Sequence, residues 1–446
     1  MRDLVIIGAG PGGFDTAIFA KEHGLDVVLI EKEMVGGTCL NWGCIPTKAL
    51  YHNALQLKEL EHLPIFGIDI PSFTVDYNTI KERKESIVSN QVGNIQATLS
   101  KLGVEFIPGT ATIKNAHTVI VDEKVIEAKN IIIATGSSVK RIPFTGDQLP
   151  VVHDSKDLLS LDTFPKNMIV VGAGVIGSEM ASIFSAFDCN VTMVEFQNEI
   201  LPPLDGDIKK RARNLYKRKK IDIHTSSSLI ELKEVDGGYV AVIEGKKKTV
   251  EIPTDYVLVA TGRMPNYGGL PLDELGITYS SKGIHVNEHK QTSLPSIYAI
   301  GDVNGELMLA HKATYDGYKA VSHILGETMD IRFDLVPSVV FSFPEIATIG
   351  KTEEELNGTN YSKNKYLYKT NAKAECMDET DGFIKMLVDE DGMLVGCHII
   401  GTHAADLIHE VAALMYTNIT VEQYKNIIHA HPTLSEIIGE CIKGFH

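Results

Sequence analysis

Leu4-Val5-Ile6-Ile7-Gly8-Ala9-Gly10-Pro11-Gly12-Gly13 is the stretch from which the fold of this chain is read. Four apolar residues suit a buried strand and run straight into a glycine-rich turn, which leads into a helical stretch. A second apolar strand, Asp26-Val27-Val28-Leu29-Ile30, ends on Glu31, 23 positions after Gly8. The pattern is that of a β-α-β unit built around a dinucleotide. Gly8 allows a tight turn, Gly10 lets the backbone approach a pyrophosphate, and Gly13 lets helix and strand pack closely. The helix N-terminus offers unpaired N–H groups and a partial positive charge to the phosphates, and Glu31 offers acceptors to a ribose diol. One such fingerprint alone is weak evidence.

The fingerprint recurs. Ile169-Val170-Val171 leads into Gly172-Ala173-Gly174-Val175-Ile176-Gly177, a helix, and then Asn190-Val191-Thr192-Met193-Val194-Glu195. Again the acid lies 23 positions after the first glycine. Each copy later meets a matching strand and turn, ending in Ala134-Thr135-Gly136 and in Ala260-Thr261-Gly262. Two copies in full context are strong evidence for two dinucleotide sites, and two such sites suggest electron transfer between cofactors. A long insert, roughly 34–109, interrupts the first copy, whose sheet is expected to be completed by Ser296-Ile297-Tyr298-Ala299-Ile300-Gly301-Asp302. From about Asp334 the strand and helix pattern changes to that of a separate α+β unit. The expected fold is therefore α/β, with two Rossmann-like domains and a C-terminal α+β domain. The boundaries read as 1–145 with 271–333 for the first, 146–270 for the second and 334–446 for the third.

Bulk properties narrow the function classes. At 446 residues the chain is too long for one ordinary domain, and 44% apolar with 22% charged residues is a globular composition. A net charge of −16 argues against a nucleic-acid partner. The runs Lys217-Arg218-Lys219-Lys220 and Lys246-Lys247-Lys248 are short and read as solvated faces. No apolar run approaches the ~18–20 residues that cross a bilayer, and the first strand begins almost at once, so a cytoplasmic location without membrane contact is expected. Six cysteines do not make a disulfide scaffold.

Two of the six carry the chemistry. In Gly36-Gly37-Thr38-Cys39-Leu40-Asn41-Trp42-Gly43-Cys44-Ile45-Pro46-Thr47-Lys48 the cysteines stand five apart. They can be bridged only if the intervening turn is distorted, which Gly43 and Pro46 make plausible. So short a loop gains little stability from a link, and its natural use is reversible reduction. Near the C-terminus stands His429-Ala430-His431-Pro432-Thr433-Leu434-Ser435-Glu436. A dithiol substrate, with thiol pKa near ~8.5, needs a base at neutral pH. His431 suits that role, and Glu436 could orient its imidazole. Metal binding by His429 and His431 is not expected, and no metal is. Cys189, Cys376, Cys397 and Cys441 read as packing residues.

Taken together, these motifs resemble the pyridine nucleotide–disulfide oxidoreductase family, class I, essentially end to end. The G-G-T-C-L-N-x-G-C-I-P-T-K, I-Y-A-I-G-D-V, M-L-A-H-K-A and H-A-H-P-T-L-S-E stretches look like its dihydrolipoamide dehydrogenase branch. The resemblance implies FAD on the first unit and a nicotinamide nucleotide on the second. The second acid, Glu195, is followed by Phe196-Gln197-Asn198 with no cation, which favours NAD over a cofactor bearing a 2′-phosphate. By resemblance, Asp302 holds the FAD ribityl chain, with Met308, Leu309 and Ala310 along the flavin. Lys48 lies near its ring, Thr38 near its phosphates, and Thr110 and Ala111 near its adenine end. Glu179 sits beside the nicotinamide, and Cys44 is the flavin-proximal sulfur. Phe343 and Asp316 depart from the family pattern, where a polar residue and a glutamate are common.

The implied reaction is oxidation of dihydrolipoamide to lipoamide with reduction of NAD, through a Cys39–Cys44 disulfide and FAD. His431 would act as base, and the resemblance further implies a homodimer in which the His-Glu pair crosses to the other subunit. A 2-oxo acid dehydrogenase or glycine-cleavage complex is the expected setting. Alternatives are a reductase of another disulfide or of a metal, and a mainly structural peripheral subunit of a multienzyme complex.

Overall fold

A computed structural model describes residues 1–445. The first unit opens with β1 (Arg2–Ile7), α1 (Pro11–Glu22) and β2 (Val27–Glu31). The insert is helical: α2 (Gly37–Trp42), α3 (Cys44–His62) and α4 (Tyr77–Leu102). The long α4 is set by its ends. Asp76 accepts the Asn78 N–H at its start, and Gly103 at φ 71° closes it. The strands β3 (Glu105–Pro108), β4 (Ala111–Asn115), β5 (Thr118–Val121) and β6 (Lys124–Ile133) follow.

β3, β2, β1 and β6 lie side by side and parallel, and Ile297–Ala299 pairs with the far side of β6. The outer half of β6 turns away into an antiparallel hairpin with β5 and β4. Leu4, Val5, Ile6, Leu29, Ile131 and Ile132 are fully buried, as strands covered on both faces must be.

A second parallel sheet takes Asp222–Thr225, Asn190–Glu195, Asn167–Val171, Tyr256–Val259 and Val152–His153 in that order. Beside it lies an antiparallel triplet, Ser227–Val235, Gly238–Gly245 and Thr249–Thr254. The C-terminal region forms a five-stranded antiparallel sheet with helices Ala404–Tyr416 and Glu436–Lys443 packed on it. Of its strands, Ser338–Val340, Phe383–Asp389 and Leu394–Ile400 were legible in the sequence, from Val339-Val340-Phe341 and the runs 382–388 and 394–400, while Ile346–Gly350 and Tyr361–Leu367 were not.

The second unit is tied to this sheet by Lys385, 1% exposed, whose ammonium donates to Asp205 at 2.7 Å, Asp207 at 2.9 Å and Glu353. Replacing Lys385 with an apolar residue would leave the buried Asp205 carboxylate uncompensated and cost about 3–5 kcal/mol. Among the described residues no helix is long and apolar enough to cross a membrane.

Candidate functional site

Both glycine turns have the geometry their spacing demands, and they have it identically. Gly8 takes φ 108° and Gly172 φ 99°, a left-handed region that only glycine enters freely. A Cβ on either would meet the carbonyl oxygen of Ala134 or Ala260, at 2.3 and 2.4 Å. A Cβ on Gly13 or Gly177 would strike the carbonyl of Gly8 or Gly172, at 1.8 and 2.0 Å, which is the close packing expected of the third glycine. Gly10 and Gly174 have nothing within 4 Å of that position and line the cavity. The acids match as well. Glu31 accepts the N–H of Ala9 at 2.7 Å and of Glu33 at 2.9 Å, and Glu195 accepts Ala173 at 2.7 Å and Gln197 at 2.8 Å. Sequence reasoning assigned these acids to a ribose alone and missed their bond to the turn.

One cavity of about 2220 Å³ joins the two units. The first unit lines it with Glu31, Thr110, Ala111, Ala134, Thr135, Gly136, Asp302 and the run Met308-Leu309-Ala310, and its helical insert with Thr38, Cys39, Cys44 and Lys48. The second unit lines it with Glu179, Glu195 and Gly262. Buried Thr135 Oγ1 has no hydrogen-bond partner within the protein, so it is free to serve a bound group. A cavity lined by two open glycine turns, at α1 and at the helix Val175–Ala186, by the acid that follows each and by an orphan hydroxyl fits two dinucleotides.

Asp302 is presented by the turn Gly301–Asn304. Behind it the fully buried Asp316 accepts the Gly301 N–H at 3.0 Å, the Asn304 amide at 3.1 Å and the Lys312 ammonium at 2.6 Å. Arg263, unforeseen in the sequence, donates to Ser137 Oγ at 2.6 Å and lies 3.8 Å from Asp302. Its one signal is that it directly follows the Ala260-Thr261-Gly262 turn.

The cysteines sit where two helices meet. Cys39 lies within α2, which stops at Gly43 (φ −139°, ψ −114°), and Cys44 begins α3. A Cβ on Gly43 would come within 2.8 Å of the Thr38 carbonyl, so glycine alone makes this break. Pro46 plays no part in it, contrary to expectation: it lies in the first turn of α3, where a proline is tolerated. Both cysteines are free thiols. The neighbouring Cys39 first, and the Lys48 cation one turn on, lower the Cys44 thiol to about 7 against desolvation and Glu179, while Cys39 is pushed up. The N-terminus of α3 favours the same thiolate.

Lys48 bridges both oxygens of Glu179 at 3.0 Å, and its ammonium stands 4.3 Å over the Phe341 ring. Phe343 is buried and stacks on Tyr51 at 4.7 Å.

His431 and Glu436 stand apart from the cavity. Glu436 accepts from His431 Nδ1 at 2.9 Å and from the Thr433 N–H at 2.8 Å, and the imidazole is 73% exposed. The Thr433 N–H first, and His431 second, hold the Glu436 carboxyl below its usual range. His429 instead pairs with Glu410 at 2.9 Å. Cys189, Cys397 and Cys441 are buried, but Cys376 is exposed at the end of a short helix and is no packing residue.

The sequence profile described as pyridine nucleotide-disulphide oxidoreductase matches residues 2–317, and that of the corresponding dimerisation domain matches 336–442. Dihydrolipoyl dehydrogenase of Bacillus subtilis (strain 168) is 36% identical over 98% of this chain and 97% of its own. Dihydrolipoyl dehydrogenase 2, mitochondrial, of Arabidopsis thaliana is 37% identical over 99% of this chain and 89% of its own. Among solved structures, LpdA from Mycobacterium tuberculosis superposes with a TM-score of 0.91 at 26% identity, covering 99% of both chains. The HOCl-induced flavoprotein disulfide reductase RclA from Escherichia coli gives 0.89 at 27% identity, covering 100% of both.

Proposed function

From the premise that the chain belongs to the pyridine nucleotide-disulphide oxidoreductase family, we propose that it is a dihydrolipoyl dehydrogenase. It oxidises dihydrolipoamide to lipoamide and reduces NAD. The observation that carries the reading is the thiol pair at the break between α2 and α3, lining one cavity with both dinucleotide turns.

In the disulfide form, His431 takes a proton from a substrate thiol and the resulting thiolate attacks Cys39 Sγ. The Cys39–Cys44 bond breaks, and Cys44 leaves as a thiolate supported by Lys48 and the start of α3. The second substrate thiol then attacks the mixed disulfide, releasing lipoamide and leaving Cys39 as a thiol. When bound, FAD supplies the acceptor that takes the electron pair from the reduced cysteines, and NAD the final hydride acceptor. Gly8, Gly10, Gly13, Glu31, Thr38, Thr110, Ala111 and Asp302 hold the first cofactor. Gly172, Gly174, Gly177 and Glu195 would hold the second, with Glu179, on the helix that follows that turn, beside its nicotinamide.

Since His431 is exposed and lies outside the cavity of its own chain, the reading has it serve the cysteines of a second copy in a homodimer. The division into 1–145 with 271–333, 146–270 and 334–446 belongs to the same proposal, as does service to a 2-oxo acid dehydrogenase or glycine-cleavage complex.

The decisive experiment titrates the purified flavoprotein with NADH while its visible spectrum is recorded, and then compares turnover of lipoamide, glutathione disulfide and Cu(II). A long-wavelength band after two electrons and a strong preference for lipoamide are expected. A missing band removes the thiol chemistry, and a preference for another acceptor removes the substrate.

A further inference from the structure

The Lys48 ammonium has two neighbours of different kinds. Glu179 draws it by charge, and the Phe341 ring covers it from another side. Phe341 does not stand alone. Its ring meets Tyr51 edge-on at 5.7 Å, Tyr51 stacks on Phe343 at 4.7 Å and 10°, and the Lys58 ammonium closes the far end 4.4 Å from Phe343. The result is a continuous column, cation–ring–ring–ring–cation, running along one face of α3.

The backbone explains its order. Lys48, Tyr51 and Lys58 recur along α3 at spacings near whole turns, so they share a face. Opposite them the segment 341–343 is pinned to the helix Val175–Ala186. Phe341 N–H donates to Glu179 Oε1 and Phe343 N–H to Ser182 Oγ, both at 2.9 Å. The chain turns tightly here, the Ser342 N–H returning to the Val340 carbonyl at 3.0 Å, and both rings pack against Tyr51. Tyr51 is fixed in turn by its hydroxyl on Glu345 at 3.2 Å. Three regions of the chain therefore converge on the position of one ammonium.

We propose that Phe341, buttressed by Tyr51 and Phe343, is a positioning residue that keeps the Lys48 ammonium within reach of the Cys44 sulfur rather than leaving it to Glu179 alone. The inference rests on the reading of Cys39 and Cys44 as the redox pair. Lys48 lies one turn after Cys44 on α3 and carries Glu179 of the helix Val175–Ala186 with it, while Cys39 approaches from α2; these groups act on the Cys44 sulfur. Lys48 and Glu179 act on it in opposite directions, so where the ammonium sits decides the balance. A lysine stem without the ring gains rotamers that carry its charge away from the sulfur.

The test uses the intact flavoprotein, reduced by two electrons, with the long-wavelength thiolate–flavin band of Cys44 followed against pH. The unaltered protein is expected to show one midpoint for loss of the band as pH falls. Phe341→Leu should move it upward by roughly 0.5–1 unit, whereas Phe341→Tyr, which keeps a ring face, should restore it. Phe341→Met serves in place of Leu if the latter loses flavin; loss of flavin in both makes the ring a packing residue and ends the proposal. An unmoved midpoint in Phe341→Leu, or equal shifts in Leu and Tyr, also overturns it. If the unaltered protein itself shows no thiolate near neutral pH and no long-wavelength band, the reading of the cysteine pair fails instead, and the two failures are told apart.

Discussion

The two nucleotide units can be laid over each other almost bond for bond up to their acidic residues, and they part immediately afterwards. In the first, the Gly36 N–H returns to the Ala9 carbonyl at 2.8 Å; in the second, the Leu201 N–H returns to that of Ala173, also at 2.8 Å. After this shared contact Gly36 and Gly37, both at positive φ, start α2 and bring Cys39 and Cys44 into the cleft. The second unit continues with Pro202-Pro203; Pro202, its φ locked near about −65°, cannot take the positive φ that Gly37 uses at the same point, and neither proline carries a reactive group. A dinucleotide cradle is thus a repeated part, and the chemistry comes from what the chain attaches to its closing contact.

The largest effect expected is on that attachment. Cys39→Ser or Cys44→Ser should cut lipoamide turnover on the order of 10³-fold or more while flavin absorbance per protein is unchanged. Loss of flavin along with activity would make the pair structural and erase the contrast between the units.

His431→Gln, far from both cradles, should slow dihydrolipoamide oxidation by about 10²- to 10⁴-fold in stopped-flow, with NADH reduction of the flavin untouched. Near-normal rates would remove it as the base.

A smaller effect separates the cradles themselves. Gly13→Ala and Gly177→Ala introduce the same collision, and each should cost about 1–3 kcal/mol locally. The first should yield protein short of FAD, and the second protein that keeps FAD but needs more NAD for half-maximal rate. Identical phenotypes would break the assignment of one cofactor to each unit.

The mildest change is Glu31→Gln against Glu195→Gln. Each replaces one carboxylate oxygen, which accepts a backbone N–H, by an amide donor, at roughly 1–3 kcal/mol. Flavin dissociation should quicken in the first only, and the KM for NAD should rise in the second only.

The glycine turns, their acids and the cysteine pair were legible because each depends on residue type at fixed local spacing. The 26-residue α4 was not, since its exposed surface leaves little apolar periodicity to read. Nor were Tyr361–Leu367 and Ile346–Gly350, short strands whose place is set by their partners in the sheet. Asp316 could be noticed as unusual, but its four-way role behind the Gly301 turn involves groups from Lys290 to Lys312 that only packing assembles.

By itself the sequence determined two dinucleotide turns, a thiol pair placed just beyond the first and a histidine with its carboxylate near the end. These follow from backbone sterics and chemistry within a few residues. The tertiary structure alone decided that Lys48, Glu179 and Phe341, 131 and 162 positions apart along the chain, meet beside Cys44. It also decided that His431 does not meet Cys44 within one chain. Contacts between distant segments are chosen by how helices and sheets bury their faces, and no local spacing encodes that choice.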